Sequence, residues 1–229
     1  MNEVLGAFRE RRGIAIFGLF LAFALPSILT GMLMGFSHGF NWGLVTSKFG
    51  QQSAYAIANW VGFIAIFALL KKKFGLQLSD LWGNFKPTKR DILATLGFFA
   101  VGAGLFIGLD SLFAQLDMRM PVMEYHITGA SDITLLVIYA VISAPICEET
   151  FFRAYGISCV RDLTNRTWLA VLISLLGFGA IHLFSFGLRG FIEIGLIWGI
   201  LPSALYLWRK KIYPGIIMHS LNNLFFYII

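Results

Sequence analysis

Charge is scarce in this sequence. Of 229 residues, 13% are Asp, Glu, Lys or Arg, against 58% apolar and 16% aromatic, a balance outside the range of soluble globular domains. The medium in which the chain folds is therefore largely lipid. Cysteine is nearly absent: Cys147 and Cys159 both lie in or beside an apolar run, so no disulfide framework is implied. Internal repeats, low-complexity tracts and linkers are missing too. That leaves a single membrane domain over residues 1–229 and argues against a transporter built from paired inverted halves. The net charge of +6 and a pI near 9.5 do not point to nucleic acid, because the basic residues fall in short clusters between apolar runs instead of forming a stripe with interleaved aromatics.

Crossing a hydrocarbon core takes about 20 apolar residues, and in lipid only a helix satisfies its own backbone. Seven runs qualify, at 13–36, 53–70, 92–116, 133–160, 167–185, 190–208 and 212–229. The expectation is an all-α, polytopic transmembrane helical bundle of about seven spans. An eighth, interfacial helix is expected where Leu78, Leu81, Trp82 and Phe85 stand among basic residues. The first run follows Arg9, Arg11 and Arg12, but it is too long for a signal-peptide core and lacks a small-x-small cleavage pattern, so it reads as a retained span.

Alternation of positive charge tests this layout. Fifteen of the eighteen cations fall on one side: Arg9, Arg11, Arg12, Lys71, Lys72, Lys73, Lys86, Lys89, Arg90, Arg153, Arg161, Arg166, Arg209, Lys210 and Lys211. Lys48, Arg119 and Arg189 fall on the other. The expected topology is multi-pass in a bacterial cell membrane with the N-terminus cytoplasmic, and Trp82, Trp168 and Trp208 near that interface.

Ionisable groups within spans are costly and normally face a bundle interior or wet cavity. Here they are Glu148, Glu149 and Arg153 in the fourth run, His182 in the fifth, Glu193 in the sixth, and His219 with Asn222 and Asn223 in the seventh. Asp110 is expected near the outer interface. At 1.5 Å per residue, Glu148 lies about 19 Å and His182 about 21 Å from their cytoplasmic ends, with His219 and Asn223 at about 9 and 15 Å. All four depths are within the membrane. Residues four apart share a helix face, which pairs Glu149 with Arg153, Phe178 with His182, His219 with Asn223, and Arg189 with Glu193. Glu148 diverges from its neighbour and is free for chemistry. Asn222 reads as a packing residue. Pro145, just before the carboxylates, should bend its helix and free a carbonyl; this either opens the helix to water or serves packing alone.

Cys147-Glu148-Glu149-Thr150-Phe151-Phe152-Arg153, Phe178 to His182, and His219 to Asn223 resemble the EExxxR, FxxxH and HxxxN motifs of the CAAX prenyl endopeptidase and bacteriocin-processing family, often called the CPBP or Abi family. The resemblance is specific over residues 143–223. It implies about eight helices around a cavity open to cytosol and lipid, and an intramembrane endopeptidase acting on membrane-associated or lipid-modified peptides. It also implies roles: Glu148 as general base, His182 assisting the water or base, His219 and Asn223 stabilising the oxyanion, Glu149 and Arg153 as a structural pair, and Phe178 as support. No cofactor is implied. Bacterial relatives are linked to bacteriocin maturation or self-immunity.

Three alternatives stand beside this reading. A non-enzymatic immunity or scaffold protein could bind a peptide or partner helix in the same cavity. Zinc could be held by two histidines and a glutamate with water in the open position, although the HExxH helix is absent and the ligands would come from three spans. Cys147 could act as a thiol nucleophile, although buried free cysteine usually behaves as a small apolar residue. The bilayer is the expected partner besides the substrate, and oligomeric state leaves no mark in the sequence.

Overall fold

The computed structural model describes residues 6–39, 48–118 and 130–228. Arg119 and the last residue of the seventh predicted run lie outside them. All regular structure among the described residues is helical. A turn, α1 (Ala7–Glu10), leads into α2 (Arg12–Phe23) and α3 (Leu25–Gly39). Next come α4 (Lys48–Leu69), which runs on through a π-helical turn Leu70–Phe74, the short α5 (Leu78–Trp82) and α6 (Lys89–Gln115). Helix α7 covers residues 130–164 and holds two π-helical stretches, Val137–Ser143 and Glu149–Ile157. The helical run Thr167–Ile192 breaks at Gly187 (φ 66°, ψ −167°), giving α8 (Thr167–Leu183) and α9 (Phe186–Arg209), and α10 is Tyr213–Ile228.

Local chemistry explains several boundaries. Thr88 and Asp91 form a reciprocal capping box at the start of α6, satisfying two backbone donors that the helix leaves unpaired. Helices α7 and α9 end on Asn165 and Lys210, both left-handed (φ 58° and 54°), the conformation that closes a helix C-terminus. Gly83 (φ 74°) joins α5 to α6 where a side chain would sit 2.2 Å from the Lys210 carbonyl, so only glycine fits.

The outer surface is apolar over long stretches. On α6 Leu93, Leu96, Val101, Leu105 and Ile107 are exposed, as are Ile57 and Ile64 on α4. A soluble monomer does not show such a surface, whereas hydrocarbon accommodates it. Among the described residues four helices, Gly50–Phe74, Lys89–Gln115, Ile133–Thr164 and Phe186–Arg209, are long and apolar enough to cross a membrane. The bent pair α2–α3 makes a fifth if counted together.

This corrects the expected seven spans. The first predicted run is two helices bent by 46°, broken two residues before Pro26, whose ring and missing N–H disrupt the preceding turn. The fifth is a helix of 17 residues, which extends about 25 Å at 1.5 Å per residue, short of a core about 30 Å thick; the seventh is helical over the described residues Tyr213–Ile228. Hydropathy alone did not distinguish the fifth from a full span.

The basic clusters meet at one end of the bundle. Asp162, near the end of α7, accepts from the backbone N–H groups of Gly6, Phe8 and Arg9 at 2.7–3.1 Å. Asp91 on α6 pairs with Arg209 (2.7 Å) and Lys211 (2.9 Å) and accepts from Tyr213. A helix does form where the interfacial one is expected, α5, docked on the α9–α10 turn by Ile212 N–H to the Trp82 carbonyl (2.9 Å) and Tyr206 Oη to the Leu81 carbonyl (2.9 Å). Elsewhere, buried Glu193 pairs with Arg189 at 2.9 Å, and Arg189 also contacts Asp110 and the Met118 carbonyl. Where α8 crosses α9, a Cβ on Gly195 would lie 2.9 Å from Gly179 Cα, a backbone approach that small residues allow.

Candidate functional site

The middle of α7 carries the carboxylates, and its winding sets where they point. In the first π stretch the N–H of Ala144 bonds to the Tyr139 carbonyl, five residues back. In that register residue 145 would donate to Ala140, but Pro145 has no N–H. The Ala140 carbonyl is instead taken by Asn223 Nδ2 at 2.8 Å. The carbonyl expected to be freed by Pro145 is thus satisfied by a side chain of α10, which locks α10 to α7 beside the acidic pair. The second π stretch begins at Glu149; such π-helical irregularities concentrate at functional sites.

Glu149 and Arg153 form a fully enclosed ion pair, Oε1 to Nη1 at 3.1 Å. Arg153 Nη2 also donates to the carbonyls of Trp198 and, at 3.4 Å, Gly199 on α9. Its guanidinium lies 4.2 Å from the centroid of the Phe178 ring, a cation–π contact. A buried charge tolerated in this way needs all its partners, so the three helices α7, α8 and α9 are held in one arrangement around Arg153.

His219 reaches both carboxylates from α10. Its Nδ1 donates to Glu149 Oε1 at 3.0 Å, and its Nε2 lies 3.9 Å from Glu148 Oε2. Glu148 is 3% exposed. Its other oxygen accepts from Tyr55 Oη on α4 at 2.7 Å. His182 on α8 donates from Nδ1 to the Phe178 carbonyl at 2.8 Å, leaving Nε2 for the site. Phe178 touches both imidazoles, with ring centroids 4.6 Å from His182 and 5.9 Å from His219.

The structure therefore gathers Glu148, Glu149, Arg153, Phe178, His182 and His219, which are spread over 72 positions of sequence. Asn223 is directed at Ala140 rather than sharing one acceptor with His219, yet an amide nitrogen carries two hydrogens and one of them remains. Asn222 is buried, its Nδ2 3.4 Å from Asn223 Oδ1. Cys147 is buried and free. No group of three or more His, Cys, Asp or Glu side chains among the described residues is placed to hold a metal ion.

Two residues of this site escaped the sequence reading. Tyr55 and Asn59, one turn apart on α4, line a cleft of about 10 Å³ with Glu148, walled by Phe23, Pro26 and Ile181. The bend between α2 and α3 supplies the Phe23–Pro26 wall. A signal was available: Asn59 is a polar amide within an apolar helix, and such residues usually bond across helices. On the lipid side, α4 and α7 enclose a larger apolar groove of about 310 Å³, lined by Ile57, Trp60, Ile64, Ile138, Tyr139 and Ser143 among others.

No curated protein and no solved structure gives a significant match to the chain. A family model does: residues 130–225, which contain every motif residue gathered above, match the model described as type II CAAX prenyl endopeptidase Rce1-like, so this segment is similar to that family.

Proposed function

We propose that this protein is an intramembrane endopeptidase that hydrolyses peptide bonds of membrane-associated or lipid-modified peptides, with Glu148 activating water. The observation that carries the reading is the placement of Glu148: buried in mid-bundle, one oxygen fixed by Tyr55, the other 3.9 Å from His219 Nε2. The match to a type II CAAX prenyl endopeptidase model supports a hydrolase that takes prenylated substrates.

Glu148 accepts a proton from water as the water oxygen bonds to the scissile carbonyl carbon. With its Nδ1–H committed to the Phe178 carbonyl, neutral His182 presents an Nε2 lone pair that orients the same water. The tetrahedral oxyanion takes donors from His219 Nε2 and the second Asn223 hydrogen, and fixed donors in a water-poor site stabilise such charge by about 3–4 kcal/mol each. Because His219 Nδ1 already donates to Glu149, its Nε2 carries a hydrogen only in the imidazolium form. Glu148 then returns its proton to the amide nitrogen as the C–N bond breaks. The apolar α4–α7 groove suits a hydrocarbon chain arriving laterally from the bilayer, with the N-terminal, basic end of the bundle on the cytoplasmic side.

The test is cleavage of a quenched-fluorescence peptide bearing an S-prenyl cysteine by the purified full chain in liposomes. Native protein should cleave it, and Glu148→Gln should be inert while unfolding at the native temperature. Full activity in Glu148→Gln would falsify the glutamate role. Loss of activity on chelation, restored by zinc, would move the assignment to metal chemistry.

A further inference from the structure

We propose that α4 completes the reaction centre, the Tyr55 hydroxyl positioning Glu148 and the Asn59 amide holding the hydrolytic water in the cleft beside it. The inference deepens the glutamate reading and rests on it. Both residues lie outside the matched segment 130–225, on a helix whose other face borders the lipid-side groove.

Three observations converge. Tyr55 Oη donates to Glu148 Oε1 at 2.7 Å, which fixes the carboxylate plane and leaves Oε2 as the oxygen to receive a proton. Asn59 is 2% exposed, yet its Nδ2 makes no hydrogen bond, and neither does Glu148 Oε2. Leaving a donor and an acceptor both unpaired in a lipid-embedded interior is costly and calls for an explanation. The cleft lined by Tyr55, Asn59 and Glu148 measures about 10 Å³, close to the volume that admits one water molecule, which also needs two or more polar partners.

A water there accepts from Asn59 Nδ2 and donates one hydrogen to Glu148. Its second lone pair is free to form the new bond to the carbonyl carbon, with the proton passing to Glu148 as the bond forms. The remaining walls are mostly apolar, Phe23, Pro26 and Ile181 among them, with Ser27 the one further polar side chain in the lining.

The experiment uses the full chain in liposomes and the S-prenyl peptide. Tyr55→Phe keeps the ring and Asn59→Leu keeps the volume, so a packing role predicts native kinetics. A role in positioning and water binding predicts a fall in kcat of about tenfold or more in each, with KM within about twofold and native unfolding temperatures. Native kcat in both variants overturns the proposal, as does a loss confined to KM. A second measurement does not depend on cleavage: a high-resolution structure in lipid should place a water within hydrogen-bond distance of Asn59 Nδ2 and the Glu148 carboxylate, and Asn59→Leu should lose it. A cleft that is dry or filled by lipid overturns the proposal whatever the activity. If native chain and Glu148→Gln are equally inert, the glutamate reading fails, and the water site still decides whether Asn59 binds water.

Discussion

Replacing Arg153 with methionine keeps most of the side-chain volume and removes the cation from an ion pair with no access to solvent. The pair has both side chains at 0% exposure and a 3.1 Å contact, and Arg153 in addition bonds the Trp198 and Gly199 carbonyls. Removing one partner of such a pair costs about 3–5 kcal/mol, because the other charge stays buried without compensation. Against a typical total of about 5–15 kcal/mol, that is a large share of the fold's stability. Neutralising Glu149 as well removes the orphan charge. The double variant Glu149→Gln/Arg153→Met should therefore be about 2 kcal/mol more stable than Arg153→Met alone, since exchanging a whole buried pair for neutral groups is often close to neutral. Equilibrium unfolding of the native chain, both single variants and the double variant in mixed micelles measures the cycle. The reasoning is refuted if Arg153→Met unfolds within about 1 kcal/mol of native, or if the double variant is the less stable of the two.

Three further perturbations follow from other contacts. Asn223→Leu leaves the Ala140 carbonyl unpaired and should cost about 1–3 kcal/mol; Pro145→Ala, which restores an N–H, should recover part of that stability in the double variant without restoring peptide cleavage. Gly18→Ala should destabilise by about 1–3 kcal/mol, measured by thermal unfolding, because its Cβ would lie 1.9 Å from Tyr155 Oη, which is itself bonded to the Ala15 carbonyl; a substantial rescue by Tyr155→Phe is expected, and its absence would show that another contact sets the cost. Asp162→Ala strips the acceptor from the N–H groups of Gly6, Phe8 and Arg9 and should lower stability by about 1–3 kcal/mol, with faster proteolysis at the N-terminal segment than elsewhere; uniform protection along the chain would contradict it.

Residues that announce themselves by being out of place in lipid were legible along the chain. Glu148, Glu149, Arg153, His182 and His219 stood out as ionisable groups in apolar runs, and the four-residue spacing of Glu149 with Arg153 and of Arg189 with Glu193 translated directly into ion pairs. Helical class was legible for the same reason, because lipid leaves the backbone few alternatives. The span count was not, since hydropathy averages over a window and is blind to the bend before Pro26 or to a helix that stops at 17 residues.

What the sequence by itself determined is therefore the medium, the helices and the identity of the expensive polar groups: these depend on composition and on a period of 3.6, both local to the chain. Only the tertiary structure decided which group faces which. It turned Asn223 to the carbonyl that Pro145 cannot serve, set His219 between two carboxylates, and brought Tyr55 and Asn59 from α4 against Glu148. Those meetings depend on the rotation and depth at which each helix docks, quantities fixed by packing among distant segments and written in no single stretch of residues.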